Sequence, residues 1–216
     1  MGYHKNFQKK VSIIALLGFL VLTLSSCLGV NSNVTIRQNG SGTIQMEYRL
    51  SRMFEALGKL DGNEKQLPLP VSRTDFERTI SRVPGLQLTS YATSQDQKDI
   101  LVKAELSFAN LDALIGFLDA SGQSVRLANE GGNRAMGLVL VRGIKNVDKD
   151  LENLVRTVFA GYTIDIGFNL PSTPTVSTVG KIGQAAVTGT TARYTSPVTD
   201  LVLSPEPVEL RLSWKE

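Results

Sequence analysis

The sequence predicts an α+β fold in which helices pack on an antiparallel sheet. Three pairs of segments alternate apolar and polar residues around a short turn, and each pair is followed by apolar residues at helical spacing. A period of two is typical of strands with one buried face, and a period near 3.6 is typical of amphipathic helices. Hairpins followed by helices favour an α+β class. The helix starts are unevenly spaced, which argues against a solenoid repeat.

The first unit is a hairpin followed by a helix. Alternation on both sides of a turn at residues 39–42 predicts a hairpin over residues 33–49. A helix is then predicted to end at Asp61-Gly62-Asn63. Its apolar stripe is Leu50, Met53, Phe54, Leu57 and Leu60. Because its polar face mixes acids and bases, we expect this helix to pack in the core rather than enter a membrane.

A second helix and a second hairpin come next. Ser72 and Asp75 bound a sequence that resembles a capping box, which predicts a helix start, and Pro84-Gly85 predicts its end. The apolar stripe of this helix is Phe76, Ile80 and Val83. Alternation then predicts strands over residues 86–93 and 100–108. Asn110 is predicted to cap a third helix that carries Leu111, Leu114, Ile115 and Leu118.

The third unit has a glycine-containing turn. Residues 124–127 and 136–141 are predicted strands, and Asn129–Asn133 is predicted as their hairpin turn. Gly131-Gly132 lacks the GxGxxG and P-loop spacings, so a phosphate loop is not expected. Asp148 opens a fourth predicted helix, whose stripe is Leu151, Leu154, Val155, Val158 and Phe159. Its early acids suit the helix dipole, and their spacing does not fit a calcium loop.

A β-rich tail is predicted from residue 162. Threonine, glycine, serine and proline are frequent there, and short alternating runs predict strands over residues 162–170, 185–188 and 191–195. The clearest strand is the last, with Val208, Leu210, Leu212 and Trp214 on one face. That alternation places Trp214 in the core or at a barrel rim rather than on a ligand.

The first residues have the order of a secretory signal. Lys5, Lys9 and Lys10 precede the apolar or small run Val11–Leu24, and small residues follow it. A helix of these 14 residues rises about 21 Å, which is short of the roughly 30 Å of a bilayer core.

The segment Leu24-Ser25-Ser26-Cys27 resembles the lipobox of bacterial lipoproteins. The resemblance implies that residues 1–26 are a removed signal peptide and that Cys27 carries a diacylglyceryl thioether and further acyl chains such as palmitate. Residues 27–33 are then the lipidated cysteine and a short tether, and residues 34–216 are a single α+β envelope domain. A plain secreted protein and an uncleaved membrane anchor are the alternatives.

The charge balance and the residue types argue against several classes of function. Three of the 23 basic residues and none of the 20 acidic residues precede Cys27, so residues 27–216 carry 20 of each. This balance gives no support for nucleic-acid binding. His4 and Cys27 are the only histidine and cysteine, which removes serine–histidine and cysteine–histidine chemistry and zinc sites from the remaining chain. We therefore expect no catalytic residue, no cofactor and no metal.

The layout resembles the LppM-type envelope lipoprotein domain over roughly residues 34–214. The likeness lies in the lipobox, the ββα units, a strand ending at Leu170-Pro171 and the closing strand with Leu210, Leu212 and Trp214. It implies a partly open α/β barrel and, for the mycobacterial namesake of the family, envelope glycolipid binding. No motif in this sequence fixes a binding residue.

These observations predict a non-catalytic lipoprotein of the bacterial cell envelope, on the periplasmic or surface side of a membrane, that binds a lipid or another amphiphilic envelope component. The alternative is a structural or assembly lipoprotein that acts through protein–protein contacts. An apolar pocket of about 300–1,000 Å³ favours the first, and a filled core favours the second.

Overall fold

The computed structural model describes residues 28–52, 70, 72–121 and 123–215. This part of the chain contains four helices and eleven strands. The helices are α1 Arg73–Ser81, α2 Leu111–Ala120, α3 Lys149–Val158 and α4 Val198–Val202. The strands are β1 Leu28–Ile36, β2 Gly42–Ser51, β3 Leu86–Gln95, β4 Asp99–Phe108, β5 Ser124–Glu130, β6 Asn133–Val141, β7 Thr163–Asn169, β8 Thr175–Val179, β9 Gln184–Thr188, β10 Thr191–Pro197 and β11 Val208–Lys215.

The described strands form two open sheets, which confirms the α+β class. The large sheet has seven strands in the order β3-β4-β2-β1-β7-β10-β9, and the small sheet has four in the order β5-β6-β11-β8. Neighbouring strands run antiparallel except β1 and β7, which run parallel. The amino-terminal strand β1 is thus the central strand of the large sheet.

One apolar core joins the two sheets to helices α1, α2 and α4. Alternate residues of β1, β2 and β4 point to the inner face of the large sheet, among them Val34, Ile44, Val102 and Leu106. The same core includes the inner face of the small sheet, where Met136, Leu138, Leu210, Leu212 and Trp214 are buried. Trp214 is 3% exposed, so it is a core residue, as the alternation predicted.

The outer face of the large sheet is polar. The Asn169 amide on β7 donates to Asn33 Oδ1 at 3.1 Å, and Thr191 on β10 donates to Asn169 Oδ1 at 2.8 Å. Beside them, Arg193 Nε donates to Asp165 Oδ1 at 2.7 Å. These polar pairs explain why the outer face of the large sheet can remain in contact with water.

The predicted helix starts are confirmed by their caps. Ser72 and Asp75 form a reciprocal capping box at α1. Asn110 Oδ1 accepts the Ala113 N–H at 2.9 Å at the start of α2, and Asp148 Oδ1 accepts the Leu151 N–H at 2.7 Å at the start of α3. Each cap satisfies an N–H that the first turn of a helix leaves unpaired. Asp148 thus caps α3, and Asp150 and Glu152 lie in its first turn.

The prediction of a tether was wrong for residues 28–33, because these residues belong to β1. Val30 pairs with Tyr48 of β2, and Leu28 pairs with Thr163 of β7. Although the composition of this segment suits a loop, pairing on both sides satisfies its backbone N–H and C=O groups. Cys27 lies outside the described residues.

Three further elements differ from the prediction. Leu50 belongs to β2, opposite Ile100, rather than to a helix, and the rest of that predicted helix lies outside the described residues. Strand β8 and the short helix α4 were not predicted. The other predicted hairpins and strands are confirmed with small shifts at their ends, including the β5–β6 turn at Gly131-Gly132.

Tyr48 provides a test of packing in the core. Its side chain is 1% exposed, burial raises the pKa of its hydroxyl, and Oη has no hydrogen-bond partner among the described residues. Burying an unpaired hydroxyl is unfavourable. We expect Tyr48→Phe to raise the free energy of unfolding by about 1 kcal/mol, measured by urea denaturation. A fall in the free energy of unfolding would instead show that the hydroxyl is hydrogen-bonded in the folded protein.

Candidate functional site

The two ends of the large sheet are the candidate functional regions. We call the end where β1 begins the proximal end; it consists of Leu28–Val30, Ser51–Arg52, Asp96–Asp99 and Phe159–Thr163. The opposite end, where β1 stops at Ile36, is the distal end. The nine residues of β1 separate the two ends by about 26 Å.

Cys27 is joined directly to the proximal end. It immediately precedes Leu28 in the sequence, and Leu28 is already paired with Thr163. Gly29 is buried, and a Cβ built on it would lie 3.0 Å from both Tyr162 Cβ and the Thr163 carbonyl oxygen. The chain is therefore packed into the fold from the second residue after Cys27.

A buried polar pair supports this packing. The Tyr162 hydroxyl donates to Asp99 Oδ1, and these residues are 6% and 4% exposed. Lys98 Nζ lies 5.5 Å from the centre of the Tyr162 ring, a cation–π distance. The ring of Tyr162 also meets the ring of Phe159 edge to face, with centroids 6.5 Å apart. Tyr162 thus links β1, the β3–β4 turn and the end of α3.

Helix α3 has an apolar stripe that is only half covered. Val155 and Val158 are buried at 7% and 8% exposure, whereas Leu151 and Leu154 are 40% and 48% exposed. All four share one face because they are spaced by three and four residues. The opposite face carries charges of both signs, including the pair Arg156–Glu152 with N···O at 2.9 Å.

The β3–β4 turn makes the proximal end sensitive to acid. Asp96 Oδ1 accepts the backbone N–H groups of Asp99 and Lys98 at 2.7 Å each, and these bonds hold the pKa of Asp96 below its usual value. A lowered folded-state pKa stabilises the fold above the unfolded pKa, near 4, and this contribution is lost as pH falls through the folded-state value.

We therefore expect Asp96→Asn to melt at a lower temperature than the parent protein at neutral pH. The difference should shrink as pH falls through the folded-state pKa of Asp96, because the parent carboxylate is then protonated. Thermal unfolding at a series of pH values measures this. A difference that stays constant down to pH 2 would contradict the assignment.

The distal end holds an open cleft of about 310 Å³. Its wall comes from the β1–β2 turn, the start of α2, and the ends of β6 and β11; it includes Arg37, Asn39, Asp112, Arg134 and Trp214. Trp214 lines the cleft, although its side chain is only 3% exposed. The volume is at the lower limit for ligand pockets, but the wall is largely polar rather than apolar.

Two other clefts are open and shallow. One, of about 390 Å³, crosses the polar outer face between Asn31, Gln45 and Lys103. The other, of about 380 Å³, lies beside Gln184, Thr195 and Asp200. The described residues contain no group of three or more acidic, histidine or cysteine side chains suited to a metal ion. No helix in the described ranges is long and apolar enough to cross a membrane.

Cys27 and the lipobox residues Leu24, Ser25 and Ser26 lie outside the described residues.

The structure brings together residues that the sequence did not connect. The distal cleft was not predicted, since Arg37, Asp112 and Arg134 belong to three separate segments. No sequence signal marks them, apart from the Asn110 cap that predicts a helix start beside the cleft.

Comparisons with known proteins give one structural neighbour. No protein-family model matches the sequence, and no curated protein matches it significantly. Among solved structures, the chain is similar to the folded domain of the LppM protein of Mycobacterium tuberculosis, determined by NMR. The TM-score is 0.45 at 13% sequence identity, over 88% of this chain and 91% of that chain.

Proposed function

We propose that this chain is a bacterial envelope lipoprotein, anchored by acyl chains on Cys27, that binds the polar headgroup of a lipid or other amphiphilic envelope component in its distal cleft. The observation that carries the anchor is the lipobox-like Leu24-Ser25-Ser26-Cys27, followed at once by the central strand of the sheet. Two or more acyl chains suffice for stable membrane attachment. The protein has a binding role and no catalytic one.

The chemistry of the distal cleft supports an anionic headgroup. Arg37 and Arg134 line it, and so does the start of α2, where the helix dipole favours negative charge. Asp112 adds a carboxylate acceptor for ligand hydroxyl groups. A polar wall of this kind suits the headgroup of an amphiphile rather than its acyl chains.

The anchor is tested on the full chain expressed in a lipidating bacterium. We expect the mature amino-terminal peptide to begin at Cys27 and to carry the mass of a diacylglyceryl group, and Cys27→Ser to move the protein from the membrane to the soluble fraction. An unmodified Cys27 in a membrane-bound protein would contradict the lipid anchor.

Headgroup binding is tested by native mass spectrometry of the protein purified with its bound lipids. Arg37→Ala with Arg134→Ala should abolish an extra mass that organic solvent removes. The matched control is Lys181→Ala, which removes an exposed charge outside the cleft. A bare parent protein, or equal loss in the control, would contradict binding in this cleft.

A second candidate, assembly through protein–protein contacts, is favoured by strand β3. This edge strand of the large sheet has ten residues and carries no charge, and Ala92–Gln95 are exposed. Proteins usually protect edge strands with charges, so an uncharged edge suits pairing with a strand of another protein. Crosslinking in cells should then capture a reproducible partner that Thr93→Lys releases.

A further inference from the structure

We propose that helix α3 lies in the interface of the same membrane that holds the Cys27 lipid, with Leu151 and Leu154 inserted among the lipid headgroups and upper acyl chains. This inference rests on the proposed lipid anchor. It adds a second point of membrane contact, which fixes how the domain is oriented above the bilayer.

The first argument is the short path between the anchor and α3. Gly29 lies two residues after Cys27 and packs against Tyr162, and the ring of Tyr162 packs against Phe159, the residue that caps α3. Leu154 precedes Phe159 by five residues, or about 7.5 Å of helix. These steps keep α3 close to the start of β1, which Cys27 immediately precedes in the sequence.

The second argument is the division of the apolar stripe. Its carboxyl-terminal half, Val155 and Val158, is buried in the domain, whereas Leu151 and Leu154 remain 40% and 48% exposed. No large hydrophobic residue in the described part of the chain is more exposed than Leu154. An interfacial helix buries such a face about 5–10 Å into the boundary between headgroups and acyl chains.

The mixed charge of α3 is compatible with this role. A helix that binds membranes alone needs a basic face, since attraction to anionic lipid supplies much of its affinity. Here the acyl chains on Cys27 supply the attachment, so the helix meets the surface at a high effective concentration and needs little affinity of its own. Two leucines are then enough to select one orientation.

The test uses the full lipidated chain in vesicles of phosphatidylethanolamine and phosphatidylglycerol. Cys27 is the only cysteine, and its thioether blocks it, so a cysteine introduced by Leu154→Cys takes a spin label at one position. We compare the label in vesicles with the label on the same protein in detergent solution. In vesicles, its collisions with a water-soluble nickel complex should fall several-fold, and its collisions with membrane-soluble oxygen should rise.

The matched control is Val187→Cys on β9, which replaces another exposed apolar residue, at 37% exposure. Val187 pairs with Ala192, Ala192 pairs with Phe168, and Phe168 pairs with Val34. Val187 therefore lies at the level of Val34, toward the distal half of the sheet. Its label should stay accessible to nickel in vesicles. Equal nickel accessibility at positions 154 and 187 would overturn the docking of α3.

Mass spectrometry of the Cys27 peptide from the same sample separates the two proposals. A lipidated Cys27 with position 154 in water overturns the docking and leaves the anchor intact. An unmodified Cys27 overturns the lipid anchor and, with it, the docking that rests on that anchor.

Discussion

Gly42→Ala is expected to lower the free energy of unfolding by about 3 kcal/mol, the upper part of the range for overpacking in a core. A Cβ at this position would lie 1.8 Å from the Thr35 carbonyl oxygen and 2.3 Å from Phe108 Cζ. The first contact is with backbone in the central strand, so relief requires β1 and β2 to separate. Urea denaturation of the mature chain carrying Cys27→Ser measures the change.

Gly137→Ala is the matched control for this prediction. It also places a methyl group on a glycine within a strand, but the nearest atom, at 2.6 Å, is Glu209 Oε1. That oxygen ends a flexible side chain and can move aside. We expect a loss below about 1 kcal/mol, and equal losses for the two variants would contradict the steric argument.

The second large effect is expected at the proximal end. Tyr162→Phe removes the hydroxyl that donates to the buried Asp99 carboxylate. Hydrogen bonds to charged groups contribute about 1.5–3 kcal/mol, and the partner left behind is poorly solvated. We expect the free energy of unfolding to fall by about 2 kcal/mol, measured by the same urea denaturation.

A double-mutant cycle isolates this hydrogen bond from other effects of the tyrosine. In an Asp99→Ala background, Tyr162→Phe should change stability very little, because the acceptor is already absent. If Tyr162→Phe has the same effect in both backgrounds, the ring contacts with Phe159 and Gly29 account for its contribution instead.

Local features of the fold were predictable because their causes are close in sequence. Ser72, Asn110 and Asp148 each bond to an N–H three residues later, so a few letters suffice to place a helix start. The β3–β4 and β5–β6 hairpins are likewise set by alternation on both sides of a short turn.

Long-range features were not predictable for the opposite reason. The pairing of β1 with β7 joins Leu28 to Thr163, and nothing in residues 28–33 indicates such a partner. Helix α4 has five residues, too few to show a helical period. Strand β8 has the Thr- and Ser-rich composition of the loops around it.

The candidate sites divide in the same way. Cys27 was predicted from its immediate neighbours, and that prediction awaits its chemical test. The distal cleft arises only when the β1–β2 turn, α2 and β6 meet, so its residues carry no common pattern along the chain. The exposure of half of the α3 stripe could not be predicted either, because periodicity shows which face is apolar and not what covers it.

The central position of β1 also determines how the protein bears mechanical load. Under the proposed lipid anchor, tension at Cys27 would act along β1, which is paired with seven residues of β2 and seven of β7. Displacing this strand requires both ladders to shear together, whereas a strand at a sheet edge could peel away one pair at a time. Under the proposed anchor, the domain would therefore bear tension through a strand that is held on both sides, and the lifetime of the fold under force would depend on the rate at which that strand is pulled free.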